Sequence, residues 1–194
     1  MAQTSTTILA DKDHKSDITG TDITFSALGS EYTIKADTTS LGNIDPYDLI
    51  TVTGTSLNNS TFTVKSRASD NMSIIVEEIV ANETKGASFT LDHTGFVSAK
   101  AKGDGYYSQV DGVHTVAYQL TASYPAATVI KMQGTLATTP TEDDWFDISG
   151  TDFTTDGTTT IKNVSFNFTG NLVWVRAKAT SVTDGTISSI LLNS

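Results

Sequence analysis

DLITVTGTSLNNSTFTVKSRASDNMSIIVEEIVANETKGASFTL, residues 48–91, breaks every few residues into a short apolar-alternating run and a cluster of turn formers. Within 60–65, Phe62 and Val64 point one way while Thr61 and Thr63 point the other, which is the two-residue period of a half-buried strand. Ile74, Ile75 and Val76 are contiguous instead, which predicts a strand covered on both faces or one at a domain contact. Asn58-Asn59, Asp70-Asn71 and Lys85-Gly86 fall between the runs, where chain reversals are needed. No helical repeat of apolar positions competes with this pattern.

The same period extends in both directions. Upstream it predicts strands over 22–28 and 31–36, and downstream over 113–122, 127–136, 145–148, 161–168, 172–180 and 186–192. Val164, Phe166 and Phe168 share a face, and Thr169-Gly170-Asn171 then predicts a hairpin turn into 172–177. Val173, Val175 and Ala177 should face the core, leaving Trp174, Arg176 and Lys178 opposite, where burying Trp174 requires a second layer or a partner. Periodicity lapses between His93 and Asp111, where Gly95, Gly103, Gly105 and Gly112 cluster. The expectation is therefore an all-β chain of two small antiparallel β-sandwich or barrel domains. A polar tail over 1–20 precedes an N-terminal module over 21–93, a Gly-rich linker over 94–112 and a C-terminal module over 113–194.

Composition narrows the function. The 194 residues carry a net charge of −10 from 12 basic and 22 acidic side chains, so nucleic acid is an unfavoured direct ligand. With no Cys, disulfides, thiolate metal sites and a Cys nucleophile are all excluded. About one residue in six is Thr, a β-branched type suited to the wet face of a sheet. No run reaches the length of a membrane span and the first residues lack a signal-peptide core, so the reading is a protein made in the cytoplasm with no membrane partner.

Candidate chemistry is sparse. His14, His93 and His114 lack metal-ligand spacing. Glu77 and Glu78 are neighbours on opposite faces of a strand, which does not suit two carboxylates sharing one substrate. Glu142-Asp143-Asp144 reads as a solvated turn, with a Ca²⁺ loop as the sharper alternative. No nucleophile elbow or phosphate loop occurs. Tyr106, Tyr107, Trp145 and Trp174 are read first as core aromatics, and second as a platform for a glycan or partner.

Residues 48–91 resemble a small β-module that recurs in tail and virion proteins of tailed bacteriophages, through Val52 and Gly54, Asn58-Asn59, the run from Thr61 to Val64, the run from Ile74 to Val76, and Gly86 to Phe89. The later stretches GYYSQVDGVHTVAYQL, IKMQGTLATTPTEDDWFDI and GNLVWVRAKATSVTDGTISSILL are similar to modules of marine phage virion proteins. The resemblance covers about residues 20–192 and implies a non-enzymatic virion structural protein, an external capsid, neck or tail module without cofactor, contacting other virion proteins and forming homo-oligomers. A carbohydrate- or receptor-binding module of a tail fibre or baseplate is the alternative.

Overall fold

A computed structural model describes residues 5–84, 88–107, 112–121, 127–157 and 162–193. The Lys85-Gly86 turn, Ala87, residues 108–111, Ala122 and Ile161, all named above, lie outside the described residues. The protein is all-β with antiparallel pairings, and the helical pieces among the described residues are single 3₁₀ turns. Backbone packing separates two compact units, one of residues 15–96 and one that joins the first strand to everything from Val97 onward.

The chain opens with β1 (Ser5–Asp13), which belongs to the second unit. The first unit then contains β2 (Ile18–Gly20), β3 (Ile23–Leu28), β4 (Glu31–Ala36), β5 (Asp48–Thr53), β6 (Thr61–Arg67), β7 (Ser73–Val76) and β8 (Phe89–Val97) up to Phe96. Hydrogen bonding orders them β2-β8-β5-β6-β7-β4-β3. Its two ends are consecutive in the chain, separated by Thr21 and Asp22 alone, so the sheet curls round one core. Ile34, Ile50, Val64, Ile74, Phe89 and Leu91 fill that core. Phe62 and Val64 are buried and Thr61 exposed, as alternation predicts, but Thr63, expected on the wet face beside Thr61, is buried as well, its amide and hydroxyl bonded to Glu78. Ile75 is only half-buried between buried Ile74 and Val76, which corrects the doubly covered strand: β7 alternates like its neighbours.

Asp22 fixes the corner where the sheet closes. Its carboxylate accepts the Thr38 and Thr39 hydroxyls at 2.7 and 2.6 Å and the Thr38 and Thr39 amides at 2.5 and 2.8 Å. The Thr39 and Thr38 hydroxyls, then the amides, hold this carboxyl far below the usual aspartate range. Because the folded-state pKa is depressed, the stabilisation is present above the unfolded value near about pH 4 and fades as pH falls below it. Asp22→Ala should cost about 1–2 kcal/mol at neutral pH, solvent screening on this rim keeping it modest. In urea titrations the gap between variant and parent should narrow from pH 7 toward the acid limb; a pH-independent gap would refute the assignment.

The second unit has β1, β9 (Ala101–Lys102), β10 (Val113–Thr121), β11 (Val129–Thr135), β12 (Phe146–Asp147), β13 (Phe153–Thr154), β14 (Lys162–Thr169), β15 (Trp174–Thr180) and β16 (Thr186–Asn193). One sheet runs β1-β16-β10-β14. In the other, β11 pairs with β12, β13 and β15, and β15 also pairs with β9. Val116, Tyr118, Ile187 and Ile190 from the first sheet and Ile130, Met132, Val175 and Ala177 from the second are fully buried. The Tyr118 hydroxyl donates to the Thr151 carbonyl at 2.9 Å, and burial pushes this phenol well above its ordinary range.

Three expectations need correction. From Ser5 on, the stretch expected as a tail over 1–20 is not one, because β1 pairs along its length with β16, Ser5 opposite Asn193 and Asp13 opposite Thr186. A bulge at Ile8 puts Ile8 and Leu9 both inside, so no clean alternation marks the strand. The described residues of the expected linker over 94–112 are not a free linker. They begin inside β8, whose pairing with β5 slips between Leu49 and Ile50, leaving Thr94 as the bulged residue; that slip is what interrupts the period near His93. Nor do β14 and β15 form a hairpin. β14 pairs with β10 and β15 with β11, so the turn after Thr169 carries the chain from one sheet to the other. Buried Leu172 and the positive φ of Gly170, 154°, make that crossing.

Candidate functional site

The glycine cluster builds a platform. β9 lies beside β15, with Lys102 opposite Trp174 and Ala101 opposite Val175. The chain then tightens into a 3₁₀ turn over Asp104–Tyr107. The Gly103 amide donates to Val173 O at 3.0 Å and the Gly105 amide to Leu172 O at 2.8 Å. A Cβ on Gly103 would lie 2.4 Å from Leu172 O, and one on Gly105 2.7 Å from Asn171 O. These glycines permit backbone contact, where a linker would use them for freedom. Asp104 locks the turn from beneath: its carboxylate accepts the Gly112 amide at 2.7 Å and lies 3.3 Å from Nε2 of buried His114, whose ring stacks on Phe168.

Tyr106 and Tyr107 are thereby presented outward, 43% and 56% exposed. Tyr106 meets Trp174 with ring centroids 4.8 Å apart and Tyr107 edge-on at 5.2 Å. Lys100 Nζ stands 4.6 Å from the Trp174 ring centre and Lys102 Nζ 4.1 Å from that of Tyr106. Trp174 Nε1 donates to Thr138 O at 3.0 Å, so the second layer anticipated over this tryptophan comes from the chain itself. Beside the platform, between β1 and β9, opens a cleft of about 470 Å³.

Trp145 is placed farther along the same face of β15. It covers Arg176, whose guanidinium carbon lies 4.2 Å from the indole centre. Arg176 is 4% exposed, forks onto both Glu142 oxygens at 2.6 and 2.7 Å, and donates through Nε to Gln133 at 3.0 Å. Gln133 continues to Asp147, which also binds Lys131. Partial burial acts upward on Asp147, but the Lys131 and Gln133 hydrogen bonds and the Lys131 and Lys178 charges outweigh it and lower its carboxyl.

Of the four aromatics singled out from sequence, Tyr106, Tyr107 and Trp174 form one cluster, and Trp145 belongs to the adjoining Arg176 network. Their preferred reading as core residues is corrected: the tyrosines are exposed and both tryptophans only half-buried, because the 3₁₀ turn and the Glu142–Asp144 turn lie on the outer face of the sheet. Lys100, Lys102 and Arg176 are the participants that sequence reasoning missed. Their alternation with Ala99, Ala101, Val175 and Ala177 was the available signal.

The acidic residues assemble no reactive pair. Glu77 lies 3.5 Å from Lys65, while Glu78 accepts the Thr63 amide and hydroxyl at 2.7 and 2.8 Å. Glu142 is committed to Arg176, and Asp144 caps its own turn by accepting the Thr141 amide and hydroxyl. Two of the three carboxylates of the Ca²⁺ alternative are thus engaged. Among the described residues no group of three or more His, Asp or Glu side chains is arranged to hold a metal. His93 is buried in the first unit, 3.5 Å from buried Asp48. Among the described residues no helix is long and apolar enough to cross a membrane.

No protein-family model matches the chain, and no curated protein matches it.

Proposed function

We propose that the chain is a non-enzymatic structural module of a tailed-bacteriophage particle, mounted externally on capsid, neck or tail and joined to other virion proteins and to copies of itself through β-edges. The observation that carries this reading is the unequal finish of the two outer strands in the β1-β16-β10-β14 sheet. β1 is bulged at Ile8 and charged at Asp11, Lys12 and Asp13, the devices that blunt an edge. β14 has neither. After Lys162 it presents Asn163, Ser165, Asn167 and Thr169 outward, neutral side chains beside an unbroken eight-residue register with β10. Such an edge accepts a further strand through backbone hydrogen bonds. The acidity of the chain keeps it from packaged DNA, and the sequence resemblance supplies the particle context.

Mass spectrometry of purified particles tests the proposal. The chain should be present in repeated copies, and its lysines should react with an impermeant reagent on intact particles. Ser165→Lys should fold normally yet be lost from particles. Absence from the particle, or labelling only after the genome is released, overturns the reading. The exposed Tyr106–Tyr107–Trp174 platform favours a second reading, a receptor- or glycan-binding module of a fibre or baseplate.

A further inference from the structure

In a chain of net charge −10, Lys100 and Lys102 lie two residues apart with no carboxylate partner among the described residues. Six other Lys and Arg side chains are ion-paired. Lys100 and Lys102 are exposed, and among the described residues each has only aromatic faces as charge partners. Both line the cleft between β1 and β9, together with Tyr107 and with Thr6 and Thr7 of β1. Buried Ile8 and Leu192 add a short apolar floor. At about 470 Å³ the cleft falls within the ~300–1,000 Å³ of small-ligand sites.

Each part selects something different. An exposed phenol ring packs on the apolar face of a pyranose, threonine hydroxyls exchange hydrogen bonds with sugar hydroxyls, and the paired ammonium groups require negative charge. A bare anion would leave the ring and hydroxyls without a role, and a neutral sugar would leave both lysines without one. A polyphosphate chain would meet the negative field of the whole protein, whereas a single carboxylate meets mainly the local one. We infer that this cleft binds an anionic saccharide, its ring against Tyr107 and its carboxylate between Lys100 and Lys102. The site deepens the second reading above and is independent of whether the chain is carried on a particle.

Titration calorimetry with trigalacturonate, trimannuronate and sialyllactose, each beside its neutral counterpart, tests it on the full chain. At least one acidic saccharide should bind in the millimolar range or tighter, at least about fivefold better than its neutral counterpart. Binding should weaken as salt rises from about 20 to about 200 mM. The double variant Lys100→Met, Lys102→Met should lose about tenfold for the acidic ligand while retaining its weak affinity for the neutral one, and Tyr107→Ala should weaken both, with circular dichroism unchanged in each. Equal affinity for acidic and neutral forms, displacement by sulfate at the same concentration, or no heat with any saccharide at ~10 mM overturns the inference. Particle mass spectrometry is unaffected by any of these outcomes, so the two proposals fail separately.

Discussion

Arg176→Ala is expected to destabilise the second unit by about 3–5 kcal/mol, the cost of leaving a buried charge network without its central partner. The guanidinium supplies three donors at once, two to Glu142 and one to Gln133, beneath the Trp145 ring. Its removal strands the Glu142 carboxylate, which is 18% exposed, and frees the turn that carries it. Arg176→Lys should recover little, because an ammonium cannot make the fork or stack flat against the indole. Glu142→Ala should also destabilise, and the double variant should cost clearly less than the sum of the two singles, since each removes the same interaction. Both tryptophans of the chain, Trp145 and Trp174, lie in this unit. Fluorescence-detected urea unfolding therefore reads the effect directly. A loss below about 1 kcal/mol for Arg176→Ala would mean that the network contributes no more than an exposed pair.

Gly54→Ala should be nearly as damaging in the first unit, at about 2–4 kcal/mol. Gly54 has φ of 84°, and an added Cβ would lie 2.2 Å from the Ser88 carbonyl oxygen, a backbone atom that cannot rotate away. Gly29 supplies the control, with φ of 65° and nothing within 4 Å of the same Cβ. Gly29→Ala carries the left-handed strain alone and should cost about 1–2 kcal/mol. The difference between the two isolates the steric contact. Hydrogen exchange at the β5 and β8 amides is the appropriate measurement, and equal protection in both variants would show that no such contact exists.

Strands of the first unit were legible where one face is buried and the other wetter: β3 reads directly from Ile23 and Phe25 against Thr24 and Ser26, whereas β6 departs from the pattern at buried Thr63. What sequence obscured were the places where that alternation is broken deliberately. The bulges at Ile8 and Thr94 each shift a strand by one residue, which made β1 look like tail and the end of β8 look like the start of a linker. The crossing after Thr169 illustrates a different limit. A Gly-containing turn between two alternating runs is equally suited to a hairpin and to a passage between facing sheets, and only the partners of the two strands, β10 for β14 and β11 for β15, decide it. For the platform, the aromatic residues were visible but their direction was not. A glycine chosen for close backbone contact has the same letter as one chosen for flexibility, so Gly103 and Gly105 concealed a docked turn.

The pairing of β1 with β16 also sets the order in which the molecule can be completed. Residues 15–96 are contiguous, and every strand pairing that closes their core is available once that segment has been synthesised. β1 precedes this segment, yet its partner spans Thr186–Asn193, so it must wait as an unpaired strand until the intervening residues 14–185 have been synthesised. The charges and the bulge that blunt β1 then act before folding as well as after it. They protect β1 during the interval before β16 has been made.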